Sequence, residues 1–328
     1  MTIYDVAKRA GTSPSTVGSV MNGSWRKRRI SETRANSIKK LAYELGYSVN
    51  LQASALRLER SRIIGMIVPM HDNRYFSSIS QTFEKEARKR GLFPIISSTL
   101  RDPKIEEDAV RLLLGYQVER IVCTGATDPD NIADICRQKG VQTFNLDLPG
   151  SKAPSVISNN YQGALSLTIE LIKKLDIKRD KESRLLFIGG RPDNNTNERI
   201  RGFKDANKRA GLIIKDNQIL ICGYSPKKAE DTLDNYFKKN GKKPAGILVN
   251  STISLEGVMN WFNTKGTVHL KHLAFGCFDW DPFAAMIQPG IIMVRQNVDK
   301  MVSTLFELMD RETIDNDLLI QVSPSLLE

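Results

Sequence analysis

The residue types that do chemistry are thinly spread along this chain of 328 residues, and their spacing excludes more than it offers. Cys123, Cys136, Cys222 and Cys277 lie far apart, show no Cys-x-x-Cys spacing and sit mostly within apolar runs, so they read as buried free thiols rather than disulfides or a metal site. His71, His269 and His272 complete no ligand set; the last two are three apart near a loop, with no helical pattern to aim them at one ion. Gly189-Gly190-Arg191 lacks the spacing of a P-loop or a dinucleotide turn and reads as a strand end. No nucleophile, base and orienting group stand in a recognisable pattern, so neither an enzyme nor a cofactor is expected. Positive charge, by contrast, is concentrated. The formal net charge is +11, and residues 1–62 carry twelve Lys/Arg against four Asp/Glu, which leaves only +3 for the other 266. This is the chemistry of a compact polyanion-binding module on a nearly neutral body.

The elements that must position those charges follow from capping residues and apolar spacing. Thr2 suits the cap of a first helix, in which Ile3, Val6, Ala7 and Ala10 share one face before Gly11 ends it. Ser13 suits the cap of a second, with Pro14 at its first position and Val17, Val20 and Met21 as its apolar stripe before Asn22-Gly23. Two short helices joined by a tight turn form a helix-turn-helix, whose second helix fits a DNA major groove. Ser24-Trp25-Arg26-Lys27-Arg28-Arg29 is then a basic loop placed near phosphate. Ser31-Glu32-Thr33 opens a third helix, with Ile38, Leu41, Ala42 and Leu45 spaced to pack on the first two and Gly46 as its stop. The segment Asn50 to Arg57 is too short for a helix that is stable alone in water, so a partner must order it.

From Ile63 onward, apolar runs alternate with amphipathic helices. Buried strands are expected over 63–70, 94–97, 120–124 and 141–146, with helices near 77–90, 104–114 and 131–139 between them. A second round has strands near 185–189, 219–223, 246–249 and 273–278 and helices near 197–209, 227–240 and 253–262. The reading is an α/β chain with two parallel-sheet lobes, whose facing carboxyl strand ends make a ligand cleft. No apolar run reaches the length of a membrane span and the N-terminus lacks a signal peptide's apolar core, so a cytoplasmic protein is expected.

In this order, the two-helix motif, the short segment and the two-lobed body resemble the lactose repressor family of bacterial transcription regulators over almost the whole chain. The resemblance is carried by Thr2-Ile3-Tyr4-Asp5-Val6-Ala7, Ala10-Gly11-Thr12-Ser13, Thr16-Val17, Asn22-Gly23, Leu45-Gly46-Tyr47, and Asn50 with Ala53 and Leu56. Within the family, the insertion Ser24 to Arg29, the stretch Leu185 to Gly190 and Leu255-Glu256-Gly257-Val258 look more like the sucrose and fructose operon repressors. The resemblance implies a three-helix helix-turn-helix DNA-binding domain at 1–48 and a hinge helix with linker at 49–62. It also implies a periplasmic-binding-protein-like, two-lobed effector-binding and dimerisation domain at 63–328.

Carried onto this sequence, the second helix would turn Pro14, Ser15 and Ser19 toward base edges, a weak code because a serine hydroxyl pairs with several bases. Tyr4, Ser13, Thr16 and Asn22 match positions near the DNA backbone, and Asn50, Ala53 and Leu56 match hinge positions that meet the minor groove, with Leu56 inserted between bases. Gly18 stands where the family usually has Ser, Ser19 where many members have a base-reading Arg, and Val49 where Pro is usual, so no operator sequence carries over. In the cleft the resemblance places Tyr75, Phe76, Asn195, Arg199, Tyr224 and Asp279. It adds Asp147, followed by Leu148 where Arg is common, and Ser251, where Asn is common. These types suit a sugar or sugar phosphate: carboxylates and amides pair with hydroxyls, aromatics cover apolar sugar faces, and Arg pairs with hydroxyls or phosphate.

The expected function is a sugar-responsive regulator, a repressor of a sugar-utilisation operon. It would bind pseudo-palindromic operator DNA as a homodimer, with no membrane partner. The chain ends at Glu328 soon after an expected last strand at 318–322, which favours a dimer over a tetramer built on an added C-terminal helix. A sugar-binding receptor without DNA function is the alternative; the basic N-terminal module and the missing export signal count against it. A sugar-modifying enzyme is a third reading, which a turnover assay with candidate sugars would expose.

Overall fold

Thr2 opens the first helix with a reciprocal cap, its Oγ1 accepting from the Asp5 amide (3.4 Å) while its own amide donates to the Asp5 carboxylate (2.8 Å). Helix α1 (Ile3–Ala10) ends at Gly11, which takes the left-handed conformation at φ 59°. Ser13 caps α2 (Pro14–Met21) through the Thr16 amide, and Ser31 caps α3 (Glu32–Glu44). Val6, Ala7, Val17, Val20, Ala35, Ile38 and Ala42 form the shared core, with Trp25 and Leu45 packed against it. The Arg34 guanidinium donates to the carbonyls of Ala10 (2.7 Å) and Gly11 (3.2 Å), so α3 fastens the turn between the other two helices.

This computed structural model describes residues 1–47, 60–175, 184–239, 244–265 and 273–327. Asn50, Ala53, Leu56, Val49, His269 and His272 lie outside the described residues. The chain divides into two units, Met1–Arg62 and Ile63–Glu328.

The described residues of the second unit form two six-stranded sheets. In the first lobe, β1 (Ile63–Val68), β2 (Phe93–Ser98), β3 (Arg120–Thr124), β4 (Gln142–Leu146), β5 (Ser155–Ser158) and β11 (Leu319–Val322) lie in the order β11-β5-β4-β3-β1-β2, all parallel. The second lobe has β6 (Leu185–Ile188), β7 (Ile219–Leu220), β8 (Gly246–Val249), β9 (Ala274–Phe278), β10 (Ile292–Arg295) and β12 (Ser325–Leu327) in the order β12-β10-β9-β8-β6-β7, with only β12 antiparallel. Strands such as β1 and β9 are apolar along nearly their whole length because helices cover both sheet faces. Between them run α4 (Arg74–Lys89), α5 (Pro103–Gly115), α6 (Pro129–Arg137), α7 (Asn160–Lys173), α8 (Asn194–Arg209), α9 (Pro226–Lys239), α10 (Thr252–Lys265), α11 (Pro282–Ile287) and α12 (Val298–Met309).

Among the described residues the chain crosses between lobes three times: from β5 to α7, from β10 to α12 and from β11 to β12. Helix α12 therefore returns to the first lobe, where Met301, Val302, Leu305 and Phe306 join Phe76, Ile79 and Phe83 of α4 in one core. Several boundaries differ from the periodicity, among them α8, which begins at Asn194 rather than near 197, and β1, which ends at Val68 rather than 70; two more have local causes. Helix α4 starts at Arg74 rather than near 77, because the Asn73 side chain caps it through the amides of Tyr75 (3.0 Å) and Phe76 (3.4 Å). Strand β7 stops at Leu220 rather than 223, because Gly223 turns the chain at φ 79° and its amide bonds to the Gly190 carbonyl (2.7 Å).

Close helix packing makes one glycine testable. A Cβ at Gly257 on α10 would strike the Pro226 carbonyl at the start of α9. Gly257→Ala is expected to lower stability by about 1–3 kcal/mol despite alanine's better helix propensity. Chemical denaturation reads this out, and an unchanged midpoint would refute that packing.

Candidate functional site

The basic unit presents a small polar face on α2. Tyr4 is 70% exposed, Ser13 and Ser15 are exposed, and Pro14 and Thr16 are partly so. The Ser13 hydroxyl lies 2.9 Å from both the Ser15 Oγ and the Thr16 Oγ1, and the Asn22 Oδ1 accepts from the Ser24 amide (3.0 Å) and hydroxyl (2.6 Å). Ser19 departs from the expectation that it faces base edges. It is only 4% exposed, and its hydroxyl donates back to the Ser15 carbonyl (2.8 Å). Ser24, at the start of the inserted loop, lies against the end of the same helix, its hydroxyl 3.4 Å from the Ser19 carbonyl. That leaves Ser15 and its neighbours at the start of α2 as the accessible positions, with Arg26, Lys27, Arg28 and Arg29 all exposed in the loop that follows the helix.

In the second unit, strand ends and helix starts converge on one cavity between the lobes. Asp147 and Asp279 are the first residues past β4 and β9, the equivalent third strands of the two sheets, and each takes a left-handed backbone (φ 74° and 82°). Tyr75 and Phe76 sit in the first turn of α4; Asn195 and Arg199, four apart on one face of α8, come from the other lobe. Tyr224 follows the Gly190–Gly223 bridge, and Ser251 caps the start of α10 through the Ser254 amide (3.3 Å). All eight residues expected in the cleft line this one cavity. Asn73, Arg101, Leu148, Asp193, Ile253 and Gln296 line it as well and were not expected. Asn73 and Asp193 carried a legible signal, since each is the capping residue of a helix that begins at the site.

The site is tightly bonded. The Tyr75 hydroxyl donates to Asp147 Oδ1 (2.8 Å), and the Asn195 amide reaches across the lobes to the Asp147 carbonyl (3.1 Å). Arg199 donates to Asn160 Oδ1 (2.8 Å) and the Asn250 carbonyl (2.5 Å) while stacking on Phe278 (3.6 Å). Gln296 donates to Asp279 Oδ1 (2.5 Å). Around the rim, Asn73–Thr252 (3.2 Å), Arg74–Asp281 (3.0 Å) and Arg191–Thr127 (3.3 Å) also join the lobes. The space left among these side chains is about 20 Å³, enough for roughly one water molecule, while Tyr75, Asp279 and Gln296 also border an open pocket of about 470 Å³. The lobes must part to admit a ligand among them.

Burial pushes the Asp147 carboxyl up to about 6, although the Tyr75 hydroxyl and the Arg199 and Arg101 charges pull the other way. Burial raises Asp279 too. Between about pH 4 and pH 6 the folded protein holds a proton on Asp147 that the unfolded chain has released, so this group makes stability fall as pH rises through that window and adds no slope above it. Asp147→Asn is expected to flatten the fall, seen as a smaller drop in melting temperature from pH 4 to 6 than in wild type. Identical slopes in the two proteins would refute the assignment.

Known proteins share this architecture. Residues 61–304 match the model of periplasmic binding proteins and the sugar binding domain of the LacI family, and residues 2–50 match that of bacterial regulatory proteins, lacI family. The chain is 51% identical over 191 residues to the ribitol operon repressor of Klebsiella aerogenes, covering 58% of this chain and 71% of that one. It is 25% identical over 265 residues to the sucrose operon repressor of Klebsiella pneumoniae, covering 80% and 78%. Among solved structures, it superposes on the lac repressor dimer bound to operator and the anti-inducer ONPF with a TM-score of 0.79 at 18% identity, over 100% of this chain and 98% of that one. The Cra regulator of Pseudomonas putida in complex with fructose 1-phosphate gives 0.71 at 19% identity, over 81% and 98%. No helix among the described residues is long and apolar enough to cross a membrane.

Proposed function

This chain belongs to the lacI family of bacterial regulatory proteins, and we propose that it regulates a polyol-utilisation operon in response to an uncharged polyol bound between its lobes. It is a DNA-binding repressor that works with operator DNA, a sugar-type effector and a second copy of itself, in our reading within the cytoplasm. The observation that carries the choice of effector is charge balance in the cavity. Arg101 and Arg199 face Asp147, Asp193 and Asp279, and Arg191 neutralises Asp193 at 3.0 Å. A phosphate dianion would meet buried carboxylates with no surplus of positive charge, at a steep cost in a low-dielectric site. A chain of hydroxyls suits the same groups, donating to the carboxylates and accepting from the guanidiniums. The 51% identity to a ribitol operon repressor supports a pentitol.

Because the space among the cleft side chains is smaller than any sugar, binding there must favour a state with the lobes apart or re-closed around the ligand. That shift is what would change operator affinity. We read the cleft as a sensor rather than a catalytic site. The test is a thermal-shift panel of ribitol, other pentitols, pentoses and their phosphate esters, followed by operator binding with each hit. An uncharged polyol should raise the melting temperature by mass action and change operator affinity, while its phosphate ester does neither. Stabilisation by the phosphate ester alone, or product formation from any panel sugar, would overturn the proposal.

A further inference from the structure

We propose that Arg101 is a specificity-determining effector contact, its guanidinium donating to oxygens of the polyol and tying ligand binding to the relation between the lobes. The inference rests on the effector reading above. Arg101 lies in the loop between β2 and α5, where Leu100 and Arg101 are consecutive non-glycine residues in the left-handed region (φ 53° and 59°). Such a pair is strained and persists only when its surroundings hold it. They do: the amides of Thr99 and Leu100 donate to the carbonyls of Val68 (2.9 Å) and Pro69 (2.8 Å), Thr127 Oγ1 donates to the Arg101 carbonyl (3.3 Å), and Asp102 caps α5. The effect of this loop is to turn Arg101 into the cleft.

There its guanidinium lies 4.2 Å from the ring centre of Tyr224, in the other lobe, and 5.4 Å from that of Phe76. Aromatic faces attract a cation but accept no hydrogen bond of ordinary strength. Its Nε is buried with no partner among the described residues. Burial also pulls its pKa down, which marks a desolvated cation short of acceptors. The neighbouring guanidiniums are committed, Arg199 to Asn160, the Asn250 carbonyl and Phe278, and Arg191 to Asp193. Leu148, beside Asp147, supplies no side-chain donor. Among the described residues Arg101 is thus the cation of the cavity with donors to offer, and a ligand that takes them also meets its contact with the opposite lobe.

The experiment is calorimetric titration of the full-length wild type, Arg101→Lys and Arg101→Met with ribitol, other uncharged pentitols and analogues lacking one hydroxyl each. Melting temperatures establish that the variants fold, and Arg101→Lys keeps bulk and charge should Arg101→Met fail to do so. Both variants are expected to bind the preferred polyol about 10- to 100-fold more weakly than wild type. At least one deoxy analogue should be penalised about tenfold by wild type and not by the variants, because the partner of its missing hydroxyl is already gone. Uniform weakening of every analogue would assign Arg101 a structural role and overturn the inference. So would unchanged affinity, which leaves the effector reading intact. If wild type binds none of the uncharged polyols, the effector reading itself falls and the inference falls with it.

Discussion

Asp279→Asn should bind polyol on the order of 100-fold more weakly than wild type while melting at a higher temperature and still occupying operator DNA. The two effects have one cause. Asp279 is only 8% exposed, and burial raises its carboxyl pKa, so at neutral pH the free protein holds a charge it would be more stable without. Asparagine is isosteric, tolerates the φ of 82° at this position and still accepts from the Gln296 amide through its oxygen. The fold therefore survives. What is lost is the second carboxylate oxygen as an acceptor of hydroxyl protons, replaced by an amide NH₂ that opposes them, and hydrogen bonds to charged groups are worth about 1.5–3 kcal/mol. Calorimetry with the hit from the sugar panel, a melting curve and an operator titration test it together. A variant that keeps full affinity, or melts lower, would remove Asp279 from the site.

The largest expected effect on stability comes from Arg199→Leu, a loss of about 3–5 kcal/mol. Arg199 is 3% exposed and joins three elements: Asn160 at the start of α7, the Asn250 carbonyl just past β8 and Phe278 at the end of β9. Leucine would fill part of the space and leave two buried acceptors without their donor. It would also remove the positive charge that eases ionisation of Asp279 and Asp147. Denaturant unfolding followed by tryptophan fluorescence reports this, because Trp261 belongs to the core of the same lobe. A loss under about 1 kcal/mol, within the usual range for surface changes, would show that the network is not structural.

Much of this organisation was legible in the residues alone, wherever the physics is local. A cap satisfies amides two or three residues away, and a helix repeats its apolar face every three or four, so Thr2, Ser13, Val17 and Val20 announced the first two helices. Runs such as Arg120–Thr124 and Gly246–Val249 announced buried strands, whereas the helix expected from 197 begins at Asn194 and so takes in Asn195 one turn before Arg199. Asp147 and Asp279 were placed by the family resemblance, and their positions just past parallel strands are where ligands of such sheets bind.

Tertiary structure decided the rest. Ser19 had the spacing of a reading residue, and only the packed structure shows it buried with its hydroxyl turned back to the Ser15 carbonyl. Arg101 carried no local signal, because its direction comes from two left-handed backbone positions pinned by carbonyls more than thirty residues earlier. Gln296 and the shared core of α12 with α4 depend on the three crossings between lobes. Spacing records forces that act within a few residues; which distant groups share a cavity is settled by how the whole chain closes.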